Sequence, residues 1–421
     1  MTTTAALTFR RVAPGEWPGR ADVAQLSLSE LWWAPWPQLL HNTHPTSAAE
    51  DERVFNYWWL AHVIDVQVDA YLRTGDGAWL DAARDTASNI RTRNGDSLFN
   101  DYFDDMLWYA LALLRVAEAT PPGAAGGGHD GVMRDVVALW DHVLEHGWTD
   151  VHGESVSWRT QQPDYKNTPA NGPFIILGAR LARVTGDATY LTWAQRSMDW
   201  LEAHLVGDDG FVEDGLGREG GDVVDTHWRF TYNQGLYIGA CVELARAARR
   251  GAGSEERAQE DRDRRAAAWL DKAERTALTS IRELATDGVF RREGNLAPDD
   301  VPEADGGDVG LFKGIWYRYA AQLLAERDVP GVAAFVRSST DALWAHARIP
   351  APTPSREEVG ATARGSLRNG ERISAAAASA GAPGELLRAG DDWTRPAPPT
   401  VGYSTQLSAV MALEVRALLE A

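Results

Sequence analysis

Residues 100–120 read Asn100-Asp101-Tyr102-Phe103-Asp104-Asp105-Met106-Leu107-Trp108-Tyr109-Ala110-Leu111-Ala112-Leu113-Leu114-Arg115-Val116-Ala117-Glu118-Ala119-Thr120. Beyond the two adjacent acids the run is apolar almost all the way round a helix, and such a helix is buried on every side. Asp104 and Asp105 then fall in its first turn, at the edge of a core and near the partly positive end of the helix. Tyr102, Phe103, Trp108 and Tyr109 flank them. Asp is favoured at a helix start simply as a cap, so the pair alone leaves two readings open. It caps a helix, or it supplies paired carboxylates, one protonating a glycosidic oxygen and the other attacking the sugar carbon or activating water.

Working outward, the same kind of segment recurs in both directions. Helical periodicity dominates, and proline and glycine fall between segments. Buried-type helices are predicted to begin near Asp51, Asp104, Thr168, Tyr232, Leu311 and Tyr403. Amphipathic ones alternate with them over 21–33, 78–93, 132–146, 190–205, 255–284 and 332–347. Thr-Gly-Asp at 74–76 and again at 185–187 stops two buried-type helices. Each stop is followed by an aromatic-Leu pair, Trp79-Leu80 and Tyr190-Leu191, which hints at an internal repeat. Helical hairpins repeated in this way stack as a solenoid or close as a ring. A closed ring explains why one class is apolar all round, and it gathers the starts of the inner helices at one end. Periodicity alone does not demand closure. The Gly-rich stretch 121–131 lacks the Lys-Ser/Thr ending of a phosphate loop and reads as a flexible turn. Residues 350–399, rich in Ala, Pro, Gly, Ser and Arg, read as a long excursion, in part disordered.

Composition narrows the function classes. A formal net charge of −19 argues against nucleic acid or an anionic membrane as partner, since either wants a basic face. No apolar run is long enough to span a bilayer. Residues 1–16 lack the apolar centre of a secretory signal, and the single Cys241 excludes an internal disulfide. Both fit the cytoplasm, or a secreted protein whose leader has been removed. Cys241 sits in an apolar run and reads as a packed thiol. His41 and His44 have a spacing found in metal sites, but Pro45 follows and no third ligand is near, so no metal is expected. No cofactor motif stands out, and no Gly-x-Ser-x-Gly elbow supports acyl transfer. Oligomeric state is left open.

Polar and aromatic residues crowd the starts of the buried-type helices. Before the third come Tyr165, Lys166, Asn167, Thr168 and Asn171. Before the fourth come His227, Trp228, Tyr232, Asn233 and Gln234. At the fifth stand Phe312 and Lys313, and at the sixth Tyr403 and Gln406. Such side chains are suitable donors and acceptors for sugar hydroxyls, although Asn and Thr also cap helices. His227 is the one site-like histidine in these patches, more economically read as a hydrogen-bonded structural residue.

At these residues the chain resembles glycoside hydrolase family 76, the α-1,6-mannanases, and related fungal cell-wall proteins. The resemblance rests on Phe103-Asp104-Asp105 with Trp108, on Lys166-Asn167 with Asn171, on Thr231-Tyr232-Asn233-Gln234-Gly235, and on Phe312-Lys313-Gly314 with Arg318-Tyr319. It implies an all-α (α/α)6 barrel, six inner and six outer helices in one domain over 1–421. It also implies retaining hydrolysis of α-1,6-linked mannose, with Asp104 as nucleophile and Asp105 as acid/base; the residues by themselves do not order the two. Neighbouring side chains can set their carboxyls roughly 5 Å apart, the spacing retaining enzymes use. Expected substrate contacts are Trp58, Trp59, Tyr102, Trp108, Lys166, Asn167, Asn171, Tyr232, Asn233, Gln234, Phe312, Lys313, Tyr403 and Gln406, with a mannose-containing oligo- or polysaccharide as partner. A transglycosidase using the same acids, an epimerase on a similar toroid, and a non-catalytic carbohydrate-binding toroid are the rival readings.

Overall fold

Which face each helix must bury decides where it lies. The computed structural model describes residues 16–46, 54–120, 128–250, 256–293, 304–350 and 385–421. Its long helices in chain order are α1 (Glu16–Trp32), α2 (Tyr57–Thr74), α3 (Gly77–Arg93), α4 (Phe103–Ala119), α5 (Gly128–Gly147), α6 (Thr168–Thr185), α7 (Thr189–His204), α8 (Thr231–Arg249), α9 (Glu256–Leu284), α10 (Val309–Glu326), α11 (Pro330–Ala347) and α12 (Tyr403–Leu419). Every residue from Thr231 to Ala245 in α8, and from Tyr403 to Ala417 in α12, is buried. By contrast α7 buries only Ala194, Ser197, Met198, Trp200 and Leu201, a single stripe at helical spacing.

The even-numbered helices form the inner ring. Each packs on the next, and α12 packs back on α2. That last contact excludes the open solenoid and makes the fold an (α/α)6 barrel. The odd-numbered helices lie outside, α3 on α2, α5 on α4, α7 on α6, α9 on α8, and α1 and α11 on α12. Inner helices approach closely where glycine replaces a side chain. A Cβ on Gly235 of α8 would lie 2.7 Å from the Trp316 Cα of α10. One on Gly314 of α10 would lie 2.8 Å from the Ser408 Cα of α12.

Starts meet starts and ends meet ends, so the inner helices run parallel. Trp58, Trp108, Tyr232 and Phe312 meet at one end of the ring. At the other, Arg115 pairs with Asp65 and Asp69, Arg318 with Asp69, Arg180 with Glu243, and Arg73 with Glu414. Helix N-termini therefore converge on one mouth, where their partial positive charge favours anions.

The two Thr-Gly-Asp stops adopt one geometry. Gly75 and Gly186 take left-handed φ values of 71° and 79°. Each preceding Thr hydroxyl bonds back one turn, and each following Asp carboxylate accepts the backbone N–H that opens the next helix.

Several boundaries differ from the sequence reading. Residues 128–131 belong to α5, whose first turn carries Asp130, rather than to a loop; 121–127 lie outside the described residues. The first inner helix begins at Tyr57, and 51–53 lie outside, as do 1–15 and hence the stretch read for a leader, and Glu255 ahead of α9. Of the 350–399 excursion, 351–384 are outside. Residues 385–387 pair antiparallel with 348–350, and Asp391 returns to the start of α10 through Lys313. No described helix is long and apolar enough to cross a membrane.

Candidate active site

Asp104 and Asp105 stand in the first turn of α4, half-buried at the mouth. The residue before the helix, Tyr102, is extended, and the Phe103 N–H donates to the Trp158 carbonyl at 2.9 Å, tying the turn to the 158–165 loop. The two carboxyls are not equivalent. Asp104 accepts two N–H groups: its Oδ1 takes the Asp105 backbone N–H at 3.0 Å, and its Oδ2 takes the Trp158 indole at 3.1 Å. Asp105 accepts one, from the Asn100 amide at 2.9 Å, while the other end of that amide takes the Tyr102 N–H.

Burial raises both acids. It pushes Asp104 up to about 7, against the pull of its two N–H donors. Asp105 rises well above the usual carboxylate range through burial first and the neighbouring Asp104 charge second. Two close carboxyls share a proton near neutrality. The better-solvated anion is Asp104, so the proton resides on Asp105.

A third carboxylate completes the mouth. Asp308, exposed at the start of α10, accepts the indole N–H of both Trp58 (3.1 Å) and Trp59 (2.7 Å). Its charge contributes to raising both aspartates. Nothing in the sequence around it, Gly306-Gly307-Asp308, marks it; only the fold brings it opposite α4.

The wall beside the acids is aromatic. Trp58 stacks between Trp108 (6.3 Å) and Phe312 (6.4 Å), and Phe312 lies flat on Tyr232 at 3.7 Å and 6°. Trp58 and Tyr102 keep part of their surface open, whereas Trp108, Phe312 and Tyr232 are buried behind them. Trp59 and Tyr403 meet edge-on at 5.3 Å, also buried. Arg159 lies over the Tyr102 and Trp158 rings. Beneath, the His62 ring packs on Trp108 at 4.8 Å and bonds to Asp65 at 3.1 Å. Burial holds its pKa down, so it is neutral.

Most of the polar residues expected to hold hydroxyls instead hold the chain. The Asn171 amide bonds both the N–H (3.0 Å) and the C=O (2.9 Å) of Val156. Gln234 does the same to Val212 at 3.0 and 2.6 Å. Gln406 accepts from the Ala389 N–H at 3.0 Å and donates to the Leu387 carbonyl at 3.1 Å. All three are fully buried. Asn167 caps α6 by accepting the Ala170 N–H. Lys166 donates to the carbonyls of Thr149 and Gly153, and burial lowers its pKa to about 8. Lys313 is paired with Asp391 at 2.7 Å. Asn233 donates to Asp214, a buried carboxylate that also takes the hydroxyls of Tyr165 and Tyr232 and the Arg218 guanidinium. Sequence reasoning missed Asp214, Trp158 and Asp308 because their partners are remote in the chain. His227 is exposed on the segment before α8. Among the described residues no cluster of three or more His, Cys, Asp or Glu is arranged to hold a metal ion.

Both the sequence and the overall fold match known proteins. The sequence profile of glycosyl hydrolase family 76 covers residues 22–362. The chain belongs to glycosyl hydrolase family 76. A family 76 α-1,6-mannanase of Salegentibacter sp. HEL1_6, solved with α-1,6-mannotriose as an inactive variant in which two consecutive aspartates are asparagine, is 29% identical. It superposes with a TM-score of 0.73 over 96% of this chain and 100% of the other. The Lin0763 protein of Listeria innocua is 37% identical, with a TM-score of 0.78 over 96% of this chain and 98% of that one. A mannan endo-1,6-alpha-mannosidase of Candida glabrata is 30% identical over 155 residues, 34% of this chain and 33% of that relative. The match to that curated relative thus spans about a third of its length.

Proposed function

We propose that this family 76 chain is a glycoside hydrolase that cleaves α-1,6-mannosidic linkages with retention of configuration. The observation that carries the reading is the inequivalent acid pair: one carboxylate solvated by two N–H donors, its neighbour kept protonated by burial and by that charge. In the first step the Asp104 carboxylate attacks the anomeric carbon while Asp105 gives its proton to the departing sugar oxygen. In the second, Asp105 takes a proton from water, which displaces Asp104 from the sugar. Trp58 and Tyr102 supply the open aromatic faces on which mannose rings stack. The inactivity of the mannotriose-bound relative with two consecutive aspartates changed supports a catalytic part for such a pair.

The test is incubation with linear α-1,6-manno-oligosaccharides, following product size and anomeric configuration by proton NMR. Release of the α-anomer first is the expected result. Asp104→Asn should lower kcat by roughly 10³-fold or more, since it removes the carboxylate proposed to form the covalent bond. Release of the β-anomer, or an Asp104→Asn variant of normal rate, removes the double displacement. Added acceptor sugar in the same assay reports transfer in place of hydrolysis.

A further inference from the structure

A second concavity adjoins the mouth. It has a volume of about 200 Å³ and lies beside the start of α8, lined by Arg229, Phe230, Glu283, Arg291, Arg292 and Glu293 with His227 and Leu284. Phe230 forms its wall towards the cleft, packing on Phe312 at 4.9 Å, and Phe312 in turn stacks on Trp58 and Tyr232. Two aromatic rings therefore separate this cavity from the platform of the acid pair.

Its lining carries three arginines against two acids, Glu283 and Glu293. Arg292 is anchored through one nitrogen, Nη2, 2.5 Å from Asp305 Oδ1. Its Nε and Nη1 are buried and have no hydrogen-bond partner. Glu293 is 8% exposed; its Oε1 accepts the Thr231 N–H at 2.6 Å, and its Oε2 is buried without a partner. Burial raises Glu293 to about 8, against the pull of Lys313, so near neutrality it too is a donor. Arg229 lies over the Phe211 ring, with Glu283 3.7 Å away, and Arg291 is held by the Glu283 and Ala285 carbonyls. Three guanidinium groups thus face one small space in a chain whose net charge is −19. Leaving such N–H groups unmet keeps their desolvation penalty without a compensating bond. The group that meets them best is compact, anionic and rich in acceptor oxygens, and arginine forks match the phosphoryl group.

We propose that this cavity is a phosphoryl-binding site, occupied by a phosphate ester on the glycan or by free inorganic phosphate. The glycan-borne case rests on the mannosidase reading; the site itself does not.

The test begins with binding. Inorganic phosphate is titrated into the full chain by calorimetry at constant ionic strength. Saturable binding at one site with a Kd of about 1 mM or tighter is expected. The double variant Arg229→Gln/Arg291→Gln removes two exposed charges and should melt as the wild type does, while weakening phosphate by about tenfold or more. Arg292→Gln should abolish binding, but it also strips Asp305 of its cation, so its melting temperature is measured alongside. Absence of saturable binding, or equal binding by a folded double variant, overturns the proposal. The source follows from turnover by the wild type. A lower KM for an α-1,6-manno-oligosaccharide carrying a phosphate monoester than for the neutral one, with inorganic phosphate competing, assigns the ester. Equal KM values with phosphate still bound assign the free ion. If the neutral oligosaccharide is not cleaved at all while phosphate binds, the mannosidase reading fails and the phosphoryl site stands.

Discussion

Asp308 is exposed, yet its carboxylate takes part in two things at once: it accepts the indole N–H of Trp58 and Trp59, and it adds negative charge beside Asp104 and Asp105. Asp308→Asn separates them, because the amide oxygen still accepts both indoles while the charge is gone. The proposed double displacement needs Asp104 ionised, which would set the acidic limb of the pH–rate profile, and Asp105 protonated, which would set the basic limb. A nearby anion raises both pKa values, so its removal lowers both, and both limbs should move to lower pH. For an exposed charge the displacement is roughly half a pH unit, shrinking in high salt. The measurement is kcat/KM against pH for the wild type and Asp308→Asn. Limbs that stay in place while the rate falls would show that Asp308 acts only through the tryptophans.

At the scale of elements, the recurring device is an amide on an inner helix that completes the backbone of a mouth loop. Asn171 serves Val156, Gln234 serves Val212, and Gln406 serves Ala389 and Leu387. Gln406→Leu keeps the volume but strands one buried N–H and one buried C=O. The expected loss is about 2–4 kcal/mol in urea unfolding, with faster hydrogen exchange over residues 385–391. A loss under about 0.5 kcal/mol would mean that water takes the place of the amide. This device also marks where the sequence stops being legible. The apolar runs announced the six inner helices, and the Thr-Gly-Asp stops announced a shared turn, because both signals are local. An Asn or Gln at a helix start looks the same whether it meets a sugar hydroxyl or a peptide group. The choice is made by loops 15–22 residues away in sequence. Asp104 and Asp105 were legible because they are adjacent; Trp158 and Asp308, which tune them, were not. Closure of the ring, the packing of α12 on α2, likewise joins the two halves of the chain and leaves no local trace.

Taken whole, the ring carries lowered carboxyls mainly at one end and raised ones mainly at the other. At the end opposite the mouth, burial would raise Asp65, but Arg318 and Arg115 outweigh it and hold this carboxyl well below the usual range; Asp69 and Glu243 are lowered in the same manner, while burial raises Glu414 against the pull of Arg73. Groups with depressed pKa values contribute stability above their unfolded values, near 4, that is lost as pH falls through the folded ones. At the mouth the sign reverses. Asp104, Asp105 and Glu293 are raised by burial. The folded state there holds protons that the unfolded chain has released, so stability declines as pH climbs from about 4 toward 8. The melting temperature should therefore peak at about pH 4–5 and fall on either side. A net charge of −19 would by itself give part of the alkaline decline through self-repulsion, and salt would screen that part. The buried part is separated by Asp105→Asn. At pH 7.5 in high salt this variant should melt about 1–3 °C above the wild type while losing the acid/base role proposed for Asp105, because it removes a carboxyl held uncharged at a cost in folding. A wild-type melting temperature that rises from pH 5.5 to 8, or an Asp105→Asn variant that is no more stable at pH 7.5 than its parent, would mean that the mouth is not where this fold stores its strain.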